Sequence, residues 1–268
     1  MFLKFCIMGD PVAHSKSPWI HQQFAQQFLL NLDYGRIKPE AGKFIEAVEQ
    51  FRLDGGNGFN ITQPFKQQAF QLAHATSERA AIAKAVNTIL FMPDGKIFGD
   101  NTDGAGFIQD ITRNHHYSLF QKKILMIGAG GAIRGILQPL LSQNPDVVII
   151  ANRTLENARQ LANEFSEYGN IRASDFEDLK NLKIDMLIDG SPSDAKIQLP
   201  SLSFSAESFY YDLKYENAFS LLCTERKCKV AKRANGFGML VEQAAESFYL
   251  WTQQKPDTKP VLNSQKIS

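Results

Sequence analysis

Ile124-Leu125-Met126-Ile127 is a short run without a polar side chain, and Gly128-Ala129-Gly130-Gly131-Ala132 follows it directly. A strand that is apolar on both sides belongs inside a parallel sheet covered by helices on both faces. The pattern after the glycines predicts a helix from Ile133 to Leu141, bent at Pro139. A second apolar strand, Val147 to Ala151, comes next. Strand, glycine turn, helix and parallel strand make a βαβ unit. Gly128 permits the tight turn, and Gly130 lets backbone N–H groups approach an anion at the helix N-terminus. Position 133 is Ile, so the strict G-x-G-x-x-G is not met. The strand before and the helix after are what point Gly128, Ala129, Gly130, Gly131 and Ala132 to a dinucleotide pyrophosphate.

The end of the second strand bears on which dinucleotide. A carboxylate there accepts from a ribose 2′-hydroxyl and repels a 2′-phosphate. This chain has Asn152-Arg153-Thr154 instead. A guanidinium binds a phosphate through a charge-assisted fork, so Arg153 reads as a 2′-phosphate ligand and the cofactor as NADP. The plainer alternative is an exposed arginine starting the helix Leu155 to Phe165. Further strands are predicted at Met186–Ile188 and Phe209–Leu213. Asn235-Gly236-Phe237-Gly238 opens a last helix whose buried side is Leu240, Val241, Ala244, Ala245, Phe248 and Trp251. Met239 and Gln243 lie one turn apart on another side. The tail from Gln254 is polar and reads as frayed.

The first hundred residues are α/β with a partly antiparallel sheet. Phe2–Met8 and Asp33–Lys38 read as strands. Ser17 suits an N-cap and Pro18 the first helical position. Ile20, Phe24 and Phe28 then form a core stripe. Capping needs one serine, so Ser15 and Ser17 leave a hydroxyl for a ligand. Phe44, Ile45, Val48 and Phe51 mark a second helix, ended by Gly55-Gly56. Gly58 to Ile61 is a buried strand that stops at Pro64 and hands over to a helix. Asn60 and Thr62 share one strand face, and Lys66 falls on the first helical turn. A hydroxyl, an amide and an ammonium thus meet at one strand end, as a small polyhydroxylated anion requires; a plain corner with a solvated lysine is the alternative. Helices follow near Phe65–Ala73 and Glu78–Lys84, and Thr88–Phe91 with Lys96–Phe98 makes a hairpin. Asp100-Asn101-Thr102-Asp103-Gly104 is a polar interruption before a helix from Gly106 to Arg113, where Asp103 either caps or serves a site.

The totals exclude several classes. The chain has 268 residues, 44% of them hydrophobic, which is enough for a real core. A net charge of +1 gives no bulk attraction to nucleic acid or an anionic membrane. Cys6, Cys223 and Cys228 form no disulfide framework, and the last two lack zinc-type spacing or a local histidine, so no metal site is expected. A cytoplasmic location follows from that cysteine usage and from an N-terminus that reads as a strand, not a signal peptide. A homodimer is left open.

Along nearly its whole length the chain resembles the shikimate dehydrogenase family. The segments that carry the resemblance are Gly9 to Pro18, Gly58 to Lys66, Ala85-Val86-Asn87-Thr88-Ile89, Asn101-Thr102-Asp103-Gly104, Gly128 to Ala132, Asn152-Arg153-Thr154, and Gly236 to Ala245 with Trp251. The resemblance implies an N-terminal α/β domain with a mixed sheet for shikimate or 3-dehydroshikimate, residues 1–103 with 238–268. A Rossmann-type domain for NADP, residues 104–237, follows, and the last helix returns to the first domain, with the active site in the cleft between them. By motif position it implies Lys66 and Asp103 as the catalytic pair. Ser15 and Ser17 would take the substrate carboxylate, and Asn60, Thr62, Asn87 and Gln243 the ring side. Met239 would sit by the nicotinamide with Gly236 near it. Tyr215, in Asp212-Leu213-Lys214-Tyr215-Glu216-Asn217, would be a further substrate residue.

The implied activity is the NADPH-dependent reversible reduction of 3-dehydroshikimate to shikimate, in aromatic amino-acid biosynthesis. A quinate/shikimate dehydrogenase using NAD and a non-catalytic ligand-binding relative are the rival readings. Arg153 argues against the first rival, and the joint presence of Lys66 and Asp103 against the second. Three departures from the family pattern stand out, one being that the proline and threonine usual after the Asp-x-x-Tyr match at Asp212 to Tyr215 are absent. Asp189-Gly190-Ser191-Pro192 replaces an Asn-Ala-Thr-type turn that faces the cofactor, and is expected to put a negative charge there. Asn157 replaces a second basic residue after Asn152-Arg153-Thr154.

Overall fold

The computed structural model describes residues 2–192, 197–215 and 230–264. Cys223, Cys228, Glu216 and Asn217 lie outside the described residues. The chain forms two compact units, Met1–Phe107 with Leu240–Ser268, and Ile108–Met239.

In the first unit the strands are β1 (Phe2–Met8), β2 (Asn31–Ile37), β3 (Gly58–Ile61), β4 (Ala75–Thr76), β5 (Thr88–Phe91) and β6 (Ile97–Asp100). They assemble in the order β2-β1-β3-β5-β6-β4. β1 is parallel to β2 and β3, while β5 is antiparallel to β3 and to β6, so the sheet is mixed. The helices are α1 (Ser17–Gln27), α2 (Phe44–Leu53), α3 (Lys66–Leu72), α4 (Glu78–Ala83) and α5 (Asp103–Gln109), the last continuing as a π-helical turn to Asn114. Lys16, not Ser17, occupies the N-cap of α1, without a side-chain cap bond. Ser17 is already helical, and its N–H is taken by the Ser15 hydroxyl at 3.3 Å. The buried face of α1 also includes His21, whose ring stacks on Tyr34 at 4.4 Å. Burial pushes the His21 imidazole down to about 3, so it is neutral in the fold.

The long helix α8 (Phe237–Thr252) supplies the rest of this core through its later turns. The Trp251 indole stacks on Phe5 at 4.2 Å and donates to the Ile89 carbonyl at 2.9 Å. Gly58 makes that approach possible. A Cβ there would lie 2.4 Å from Ile89 O and 2.9 Å from Trp251 Nε1. Gly58→Ala is therefore expected to cost about 2 kcal/mol, an overpacking penalty against backbone, read as a lowered urea midpoint. From Gln254 to Ser264 the tail is tied down and not frayed. Gln27 and Asp257 exchange hydrogen bonds of 2.9 and 2.8 Å, and α9 (Lys259–Ser264) buries Val261.

The second unit holds β7 (Lys123–Ile127), α6 (Gly131–Leu141), β8 (Val147–Ala151), α7 (Leu155–Glu164), β9 (Ile171–Ser174), β10 (Lys183–Asp189), β11 (Ser203–Asp212) and β12 (Lys232–Asn235). Its sheet runs β12-β11-β10-β7-β8-β9 with every pair parallel. This is the doubly wound order whose switch point lies between the first and fourth strands, here β7 and β10. The central strands are buried: Ile124 to Ile127 and Met186 to Ile188 have no exposed surface. The edge strands β9 and β12 carry polar side chains, as edges do, and have no apolar run in the sequence to announce them. No helix among the described residues is long and apolar enough to cross a membrane.

Candidate functional site

The first unit gathers a polar cluster at the ends of β3, β5 and β6. Pro64 ends the extended run after β3, and Lys66 is the first residue of α3. Asp103 begins α5, but its own N–H is taken by the Asn101 side chain at 3.2 Å. Its carboxylate points elsewhere: Lys66 Nζ donates to Asp103 Oδ2 at 2.5 Å. Both side chains are largely shielded, at 15% and 7% exposure, which strengthens the ion pair relative to one in water. Asn87 Nδ2 reaches the other oxygen, Oδ1, at 2.8 Å, and lies 2.9 Å from Thr102 Oγ1 and 3.2 Å from Gln243 Oε1. Asn87 Oδ1 in turn accepts from the Thr102 N–H at 2.9 Å and the Thr88 hydroxyl at 2.8 Å. Lys66, Asp103, Asn87 and Gln243 thus form one connected set.

Asn60 is held differently. Its carbonyl oxygen accepts from Tyr34 at 2.7 Å, and its amide reaches Thr88 and Ser247, each at 3.0 Å. It is a buried strut joining β2, β5 and α8. Thr62 is half-buried, one residue beyond β3, with its methyl against Gly9: a Cβ on Gly9 would lie 2.1 Å from Thr62 Cγ2. Ser15 and Ser17 are buried, with their hydroxyls 3.2 Å apart. Arg36 adds what the sequence reading missed. Its guanidinium donates twice to the Ser15 carbonyl, at 3.2 and 2.6 Å, and so places positive charge beside the two hydroxyls. Tyr34 was missed as well; its hydroxyl bonds Ser17 as well as Asn60. Thr102 and Ser247, 3.2 Å apart, complete the network.

In the second unit Gly128 has φ +107°, and a Cβ there would lie 2.9 Å from Gly190 O. Ile133 fits at the third motif position because Gly190 has no side chain; a Cβ on Gly190 would lie 2.6 Å from Ile133 Cδ1. Gly130 and Gly131 are exposed at the start of α6, and a Cβ on Gly130 would meet nothing within 4 Å. Ala129 and Ala132 flank them, half-buried. The space over the turn is open, and the unpaired N–H groups of a helix start face it, so the residues present fit a pyrophosphate. At the end of β8, Arg153 is exposed; Asn152 Nδ2 donates to Thr154 O at 2.9 Å and shapes that corner. Gly236 lies against the residues just past β11: a Cβ there would be 2.2 Å from Leu213 O. Met239 is buried, and its N–H is accepted by the Tyr211 hydroxyl, which donates to Asp110 at 2.7 Å. Tyr215 is half-buried in this unit, past the end of β11.

Asp189 does not project into the open. It has no exposed surface, and Lys214 stands 3.6 Å from it. The free negative charge expected of this turn is therefore corrected to a buried and paired one.

Comparison with known proteins places this architecture. The shikimate dehydrogenase substrate binding domain matches residues 7–89, the shikimate / quinate 5-dehydrogenase domain residues 110–197, and the shikimate 5′-dehydrogenase C-terminal domain residues 236–264. The NADP(+) shikimate dehydrogenase of Laribacter hongkongensis is 42% identical, over 97% of this chain and 96% of its own. The chain belongs to the shikimate dehydrogenase family. Among solved structures, an Ael1 enzyme from Pseudomonas putida superposes with a TM-score of 0.87 at 37% identity, covering 98% of this chain and 97% of its own. A shikimate 5-dehydrogenase from Thermus thermophilus, crystallised with NADP(H) and shikimate, gives a TM-score of 0.84 at 28% identity and covers 99% of each chain. The α/β family architecture, a substrate domain with a mixed sheet followed by a Rossmann-type domain, is the one described above for the two units.

Proposed function

We propose that the chain reduces 3-dehydroshikimate reversibly to shikimate with NADPH. The observation that carries the reading is the Lys66–Asp103 pair, 2.5 Å apart and joined through Asn87 to Gln243. When bound, NADPH supplies the hydride. Reduction of a ring ketone builds an alkoxide, and Lys66, as an ammonium, offers it a proton and positive charge. Asp103 fixes the ammonium and accepts from the neighbouring ring hydroxyl. Thr62, Asn87 and Gln243 hold the ring substituents, and Asn60 supports them as the strut beneath. Ser15 and Ser17 receive the carboxylate, with Arg36 supplying charge behind them. Tyr215 is a further substrate residue, and Met239 and Gly236 are cofactor residues. Residues 1–103 with 238–268 are the substrate part and residues 104–237 the NADP part. A cytoplasmic enzyme of aromatic biosynthesis fits the buried free thiol of Cys6.

The test is shikimate mixed with purified protein and either NADP+ or NAD+, followed at the nicotinamide absorbance, with quinate as a parallel substrate. Turnover with shikimate and NADP+ is expected; no turnover with any pair would leave a binding protein. Light scattering on the same sample separates monomer from homodimer.

Arg153 sets the cofactor choice in this reading. An exposed guanidinium at the end of β8 gains a binding partner only if the ribose carries a phosphate. Arg153→Ala should raise the KM for NADPH about tenfold and leave that for NADH within about twofold, the size of one lost charge-assisted contact. Equal changes in both constants would show that Arg153 does not read the 2′-phosphate.

A further inference from the structure

The 189–191 turn carries a buried carboxylate at the edge of the pyrophosphate site, and the fold neutralises it from the next strand. Asp189 ends β10. Its Oδ1 accepts from the Ser191 N–H at 3.0 Å and the Ser191 hydroxyl at 2.5 Å, and its Oδ2 from the Tyr210 hydroxyl at 3.0 Å. Lys214, just past the end of β11, brings its ammonium to 3.6 Å from Asp189 Oδ2 and 3.3 Å from Asp212 Oδ1. The same ammonium donates to the Ser191 carbonyl at 2.9 Å, so it binds the turn at both its charge and its backbone. The turn is in direct contact with the glycine loop: the Gly190 N–H bonds Ile127 O at 2.9 Å, and Gly190 O lies where a Cβ on Gly128 would intrude. A bare charge on Asp189 would therefore stand beside the place where the residues fit two phosphates, and repel them through a shielded medium.

We infer that Lys214 is a positioning residue for the dinucleotide, cancelling the Asp189 charge and clamping the 189–191 turn against the glycine loop. This rests on the NADP reading above. Asp189 is a buried carboxylate in a turn that touches the glycine loop, and the Lys214 ammonium makes it tolerable there. An asparagine at 189 would keep the Ser191 donors, and the Tyr210 hydroxyl would turn to accept. Asp212 retains the Lys214 backbone N–H, at 3.0 Å, whatever the side chain.

The experiment is calorimetric titration of NADP+ into the full chain, with thermal unfolding of each variant in parallel. Lys214→Met should weaken NADP+ binding at least about tenfold, as when one member of a shielded charge pair is removed, while shikimate affinity stays within about twofold. Lys214→Arg should bind as the wild type does. Asp189→Asn with Lys214→Met should recover NADP+ binding to within about threefold of the wild type, because the carboxylate of the turn that touches the glycine loop is gone, while Asp212 keeps its hydrogen bond from the backbone N–H of residue 214. Unchanged binding by Lys214→Met overturns the inference. So does a folded double variant that binds no better than Lys214→Met. If Lys214→Met does not fold, the double variant should fold and bind; its failure to do so also overturns the inference. A wild type that binds no NADP+ overturns the functional reading first, and is read in a separate titration.

Discussion

Replacing Lys66 by alanine is expected to lower kcat about a thousandfold while moving the KM for shikimate by less than about threefold. The ammonium faces a neutral carbonyl or hydroxyl in the ground state and a developing alkoxide in the transition state. Its interaction therefore strengthens along the reaction coordinate, and a loss falls on kcat. The ring would remain held by Thr62, Asn87 and Gln243, of which Asn87 and Gln243 are fixed by bonds that do not involve Lys66. Asp103→Asn should also lower kcat, because the contact of 2.5 Å that aims the ammonium loses its charge. The two residues act as a unit, so the double variant should be little worse than Lys66→Ala alone. Steady-state kinetics in both directions read this. A raised KM with kcat little changed would make Lys66 a binding group and remove the proposed proton role.

What was legible in the sequence followed the range of the interactions involved. The βαβ unit was readable because strand, glycine turn and helix are consecutive, and each announces itself by composition. Lys66 and Asp103 were readable as candidates because each sits at a punctuated strand end; their contact is a property of the β3-β5-β6 order, which brings those ends together. Arg36 and Tyr34 were missed for the same reason. They depend on the register that sets β2 beside β1, with Phe5 opposite Tyr34 and Ile7 opposite Arg36, and β2 by itself shows only an alternating strand. The Asp189 charge was misjudged because its partner lies at the end of the neighbouring strand β11. Ser17 was misread as a cap because serine before proline is a local signal, and the hydroxyl of Ser15 took the bond instead. The Gln254 tail was misread because its composition is polar while its anchor, Gln27, is on α1.

Arg79→Met should lower the unfolding free energy at pH 7 by about 3 kcal/mol, the cost of stranding a buried carboxylate. Arg79 grips Asp100 with both arms, Nε at 2.7 Å and a terminal nitrogen at 2.5 Å, and reaches Glu246 on α8 at 3.4 Å. Ser77 and the Asn101 N–H bond the same carboxylate, so the ion pair links α4, β6 and α8 directly beneath the Asn101–Asp103 turn. Burial alone would raise the Asp100 pKa, but the guanidinium more than offsets it and holds the carboxyl below its ordinary value. A depressed carboxyl contributes stability that is present above its unfolded pKa and lost as pH falls through the folded one. Without Arg79 only the Ser77 and Asn101 hydrogen bonds oppose burial, so the carboxyl moves upward from its value in the wild type, and protonation relieves the variant. The gap between wild type and variant should therefore be widest near neutrality and close as pH falls below the ordinary carboxyl range. His21 adds a separate acid lability: its folded pKa of about 3 lies below its ordinary 6.5, so both proteins lose stability as pH falls through that interval. The difference between the two proteins cancels that term. Urea unfolding at several pH values reads the result, and a gap that stays constant into acid would show that Arg79 stabilises by packing and not by its charge on Asp100.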